Sequence, residues 1–73
     1  MKTIQYTYNY EPEMYKYILA SNILNKKKCE DKIFKHLVSG YSCQEISKKV
    51  HYSERTIQNR RKNIYFKTKK YMI

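Results

Sequence analysis

The chain has 73 residues, of which 41% are hydrophobic, and a formal net charge of +10. A chain this short builds one modest core, which excludes a deep enclosed catalytic pocket, and its apolar content excludes full disorder. So large a positive excess points to a polyanionic partner, either nucleic acid or an acidic membrane surface. The excess is confined to one part of the chain. Residues 1–25 balance Lys2 and Lys16 against Glu11 and Glu13, and all the surplus lies from Lys26 onward. One glycine and one proline make the chain poor in turn residues and predict a mostly helical fold. Two cysteines, Cys29 and Cys43, are too few for a disulfide framework. With no secretory leader and no bilayer-spanning run, the chain reads as a cytoplasmic protein with free thiols and no membrane attachment.

Residues 3–10 alternate, with Ile4, Tyr6, Tyr8 and Tyr10 separated by polar residues, which is the period of a half-buried strand. No second strand follows to pair with it. Two outcomes satisfy the pattern: a two-stranded ribbon with a second subunit, or an arm whose tyrosines pack on the helices. A DNA-contacting arm is a weaker fit, because minor-groove arms carry Arg and this segment has none.

Pro12 suits the first position of a helix, and Glu13 complements its dipole. Met14, Tyr15, Ile18, Leu19 and Ile23 then recur at helical spacing. A second helix is expected from about Lys26 to Ser39, with Ile33, Phe34, Leu37 and Val38 inward and Gly40 as its left-handed stop. Ser42 followed by Glu45 is a capping box, and it opens a helix to Val50 with Ile46 and Val50 inward. A short turn at His51–Tyr52 precedes Ser53, a second good cap. The last helix runs from Ser53 to about Lys67, with Ile57 and Ile64 inward. The end, Thr68 to Ile73, reads as frayed, with Tyr71, Met72 and Ile73 available to a partner.

The expected fold is therefore all-α: a small three- to four-helix bundle with an N-terminal β-like strand or arm. Residues 1–25 are expected to serve dimerisation and residues 26–73 to form the binding domain. Two short helices joined by a tight turn, the second strongly basic, form a helix-turn-helix, which places its second helix in the major groove of DNA. Since Ile57 and Ile64 face inward, Arg55, Gln58, Asn59 and Lys62 fall on the outer face. Gln and Asn suit adenine, and Arg and Lys suit guanine. Ser53, Thr56, Arg61 and Lys67 are placed to hold phosphates, and Arg60 to reach the backbone from the core edge.

Residues 40–67 resemble the LuxR/GerE-type helix-turn-helix and, more distantly, sigma factor region 4. The resemblance rests on Gly40, Ser42, Glu45, Ile46, Val50, Ser53, Thr56, Ile57, Ile64 and Lys67, and upstream on Glu30, Ile33, Phe34 and Leu37. It implies that Gln58, Asn59 and Lys62 approach base edges. Three departures stand out: Ser47 for the usual alanine, Tyr52 for an aliphatic, and Arg60 where histidine is common. The family's fourth helix, its usual dimerisation element, is missing or reduced to a few residues after Lys67.

Other chemistries fit poorly. Cys29, His36, Cys43 and His51 match no common zinc spacing, so no metal is expected. The six acids are scattered, and no Gly-rich phosphate loop occurs, so neither an enzyme nor a cofactor is expected. The sequence thus predicts a sequence-specific double-stranded DNA-binding transcriptional regulator, acting as a homodimer and of phage or mobile-element type. The alternative is an interaction module for RNA polymerase or another nucleic-acid-handling protein, using its tyrosine-rich first 25 residues.

Overall fold

A computed structural model describes residues 8–73. Four α-helices follow in chain order: α1 (Pro12–Ala20), α2 (Glu30–Val38), α3 (Cys43–Val50) and α4 (Glu54–Thr68). Two 3-10 turns, Lys26–Lys28 and Lys69–Tyr71, precede α2 and follow α4. Among the described residues there is no strand.

The core is built from Ile18 of α1, Leu24, then Ile33, Phe34 and Leu37 of α2, Cys43 and Ile46 of α3, and Ile57 and Ile64 of α4. Tyrosines extend this small core. The Tyr15 ring stacks on Phe34 at 5.5 Å, and Tyr10 meets the same ring edge-on at 5.3 Å. Burial raises the Cys43 thiol pKa, with nearby Arg61 acting the other way and Glu54 reinforcing the rise. Cys43 therefore behaves as a small core hydrophobe.

Residues 3–7 of the alternating segment, and with them the expected ribbon, lie outside the described residues. Tyr8, Asn9 and Tyr10 pack as an arm. Tyr8 Oη donates to the Arg61 carbonyl at 3.4 Å, and its ring lies edge-on to Tyr65. Tyr10 Oη shares a hydrogen bond of 2.7 Å with Thr68 Oγ1. The Asn9 carbonyl accepts the Ile73 amide at 3.0 Å. This last bond corrects the expectation of a frayed end. Thr68 is fully buried, and the Tyr71 ring lies 5.9 Å from Tyr17. The tail is held because the arm supplies it with partners that no local pattern reveals.

The second helix also departs from expectation. It begins at Glu30, four residues later than Lys26. Asn25 Oδ1 accepts the Lys27 and Lys28 amides at 3.0 and 3.3 Å, which winds a 3-10 turn. Cys29 then takes a left-handed conformation, φ 59°, and breaks the helix. The physical reason is electrostatic. A run of lysines opposes the positive end of a helix dipole, whereas Glu30 and Asp31 complement it. Similarly, α1 ends at Ala20, because the Ser21 hydroxyl turns back to the Ile18 carbonyl at 2.9 Å. Ile23 therefore lies beyond the helix to whose stripe it was assigned.

The remaining boundaries follow their caps. At the end of α2 the Gly40 amide donates to Leu37 O and the Tyr41 amide to His36 O. With Gly40 at φ 93°, these two bonds form a Schellman motif. Ser42 and Glu45 complete the capping box of α3. His51 closes α3 at φ 59°, a left-handed conformation that strains a side chain with a Cβ. The exposed His51→Gly substitution should therefore stabilise the domain by up to about 1 kcal/mol, the relief of strain being partly offset by a freer unfolded chain. Thermal melts should show a rise of roughly 4–8 °C for a full 1 kcal/mol. A fall would mean that the His51 ring makes a stabilising contact.

Candidate nucleic-acid interface

The candidate interface is built on α4. Its inner row, Ile57, Ile64 and Thr68, is fully buried. At 3.6 residues per turn this burial fixes the helix rotation about its axis. Arg55, Gln58, Asn59 and Lys62 are all exposed on the side turned away from the core. Their spacing of three, four and seven residues brings the four side chains onto one face. Asn63 and Phe66 continue that face toward the C-terminus, and both are exposed. Phe66 was not assigned from the sequence, although its position four residues beyond Lys62 was a legible signal. Its ring carries the Lys69 ammonium 5.0 Å from the centroid.

The residues expected at phosphates are more varied. Ser53 Oγ caps α4 by accepting the Thr56 amide at 3.2 Å, and it also shares a hydrogen bond with Thr56 Oγ1 at 2.8 Å. Both hydroxyls therefore sit at the amide end of the helix. Arg60 is half-buried: its guanidinium lies 4.2 Å from the Tyr52 ring centroid and donates to the Lys28 carbonyl at 2.7 Å. Tyr52 Oη in turn donates to Cys29 Sγ at 3.9 Å. The aromatic Tyr52 therefore has a role no aliphatic provides, as a platform for Arg60. Arg61 is half-buried beside the arm, with its carbonyl accepting from Tyr8.

Lys67 forms an ion pair with Glu30 at 2.8 Å. The Glu30 side chain is only 3% exposed, against 40% for Lys67. The same carboxylate oxygen accepts the Asn25 amide at 2.8 Å. Glu30 thus ties the turn before α2 to the last turns of α4. This leaves Lys67 partly committed, with the remaining ammonium hydrogens free to face outward.

Ser47 bonds within its own helix, donating to the Gln44 carbonyl at 2.7 Å. His36 lies against Tyr41, with the ring centroids 5.5 Å apart. Its pKa is held below the usual histidine value, first by burial and then by Lys49 and Lys35, which favours the neutral ring. Among the described residues no three His, Cys, Asp or Glu side chains converge on a common point. No helix among them is long and apolar enough to cross a membrane.

This architecture has a counterpart among known proteins. Residues 21–69 match the family model of bacterial regulatory proteins, luxR family. The chain belongs to this family. No curated protein and no solved structure matches it significantly. The LuxR-type helix-turn-helix is a DNA-binding module of transcription regulators, and α3 and α4 are its two helices here. The match begins after α1, so α1 and the tyrosine arm precede the family's region.

The Lys67–Glu30 pair yields a test. Lys67→Ala strands a buried carboxylate with one remaining backbone donor. It should destabilise the domain by about 1–2 kcal/mol, toward the low end for charged hydrogen bonds because Lys67 is partly solvated. Glu30→Gln, which keeps an acceptor for the Asn25 amide, should cost less. Urea melts of both variants check the order, and an unchanged midpoint for Lys67→Ala would show the pair to be energetically idle.

Proposed function

We propose that this LuxR-family domain reads specific sequences in double-stranded DNA by laying α4 in the major groove. The observation that carries this reading is the exposed row on α4, opposite a fully buried one. Arg55, Gln58, Asn59 and Lys62 project from a helix whose rotation the core fixes. These are the donor and acceptor types that discriminate base edges: amides for adenine, cations for guanine. An α-helix of ~10–12 Å diameter fills a groove ~12 Å wide.

Ser53, Thr56, Arg60, Arg61 and Lys67 contact the phosphate backbone and position the helix. Arg60 and Lys67 do so with the hydrogens not given to Lys28 and Glu30. Such contacts set orientation without reading sequence. The domain acts as a homodimer on an inverted repeat. Tyr17 on α1 is 55% exposed and Ile73 is 82% exposed, and both supply apolar surface for a second copy.

Selection from random duplexes, followed by fluorescence anisotropy on the selected and scrambled sequences, tests the proposal. Selected sites should be inverted repeats with half-sites about 34 Å apart, one DNA turn. Asn59→Ala should lose about 1–3 kcal/mol on the selected site, roughly 5- to 150-fold in affinity, while binding to scrambled duplex stays constant. Equal affinity of the native protein for every duplex would refute sequence-specific reading.

A further inference from the structure

The lysine run at Lys26–Lys28 has no part in the reading face of α4, yet the fold brings it alongside that helix. Three contacts locate it. The Arg60 guanidinium bonds the Lys28 carbonyl at 2.7 Å. Tyr52 Oη, at the start of the motif's second half, reaches Cys29 Sγ. Lys67 Nζ bonds Glu30, which also holds the Asn25 amide. Arg60 and Lys67 are seven residues apart, two turns along one flank of α4. The 3-10 turn is therefore pinned beside α4 over that interval.

All three lysines are exposed, and none of their ammonium groups has a carboxylate partner among the described residues. Of the nearby acids, Glu30 is neutralised by Lys67, which leaves Asp31 against three lysines. A shallow hollow of ≈ 410 Å³ opens here, and Lys26, Lys27 and Lys67 all line it. Lys28 follows Lys26 and Lys27 on the same turn. With α4 laid in the major groove, a turn pinned along its flank lies toward the wall of that groove. That wall is the sugar-phosphate backbone.

We propose that Lys26, Lys27 and Lys28 form a phosphate-binding ledge that grips the DNA backbone along one flank of α4. The proposal rests on the reading of α4 as a major-groove helix. The ledge supplies affinity and fixes the docking angle, without reading bases. Its lysines act as mobile point charges suited to a phosphodiester. The turn itself is held by the Asn25 side chain and by backbone bonds. Side-chain substitution at the three positions therefore leaves the Arg60 contact in place.

The test is the salt dependence of binding by the full chain, wild type against the triple variant Lys26→Gln, Lys27→Gln, Lys28→Gln. The probes are the selected duplex and a scrambled one. Each phosphate contact contributes about −0.9 to the slope of log K against log salt. The triple variant should have a slope shallower by about 2–3 on both duplexes, with the ratio of their affinities unchanged. The triple Lys→Arg variant should restore the wild-type slope. An unchanged slope in the glutamine variant overturns the ledge, and so does a collapse of the ratio between the two duplexes. Failure of the α4 reading looks different: the wild-type protein itself would show no preference between duplexes.

Discussion

The rotation of α4 about its own axis is the constraint on which the rest of the structure depends. Ile57, Ile64 and Thr68 are fully buried, and turning the helix by one residue would expose them. Their burial, worth roughly 1.5–3 kcal/mol for each isoleucine, outweighs the preferences of the polar face. Placement of Arg55, Gln58, Asn59 and Lys62 outside is a consequence. The exposed face of α4, the proposed reading face, is therefore determined by residues on the opposite side of the helix. α3 serves the same end, since Ile46 is fully buried in the same core and Ser42 and Ser53 cap the starts of the two motif helices.

A domain of this size has little core to spare, and it compensates at its ends. Tyr8 and Tyr10 reach α4 through Arg61, Tyr65 and Thr68, and Asn9 binds the final residue. Glu30 does similar work inside, joining Asn25 to Lys67. Both devices brace the C-terminal half of α4. At the Lys69–Tyr71 turn after α4, α1 supplies packing through Tyr17, whose ring lies against Tyr71. The Tyr10 pKa is raised chiefly by burial, against a lowering hydrogen bond from Thr68. The stability gained from this protonated hydroxyl is complete below pH 10, the value of the unfolded chain, and is lost as pH rises through the higher folded value.

The motif was legible because its signals are local. Ser42 with Glu45, Ser53 three residues before Thr56, and Gly40 after Val38 each announce a boundary within a few residues. Alternate faces of α4 follow from Ile57 and Ile64 alone. What escaped was non-local or competitive. The Asn25 side chain caps a separate turn over Lys26–Lys28, a competitor to the helix expected from Lys26, and lysines at that helix start oppose its dipole. The tie of Lys67 to Glu30 spans 37 positions, and that of Tyr10 to Thr68 spans 58. No periodicity reports contacts at such separations. Arg60 shows the mixed case: its core-edge position was readable, while its seat on Tyr52 required the fold.

Backbone amide shifts of isotope-labelled protein, followed by NMR as duplex DNA is added, test the central claim most directly. The account predicts the largest shifts along Ser53–Lys62 and at Lys26–Lys28. Shifts concentrated on α1 and the C-terminal turn, with Gln58 and Asn59 unchanged, would contradict it.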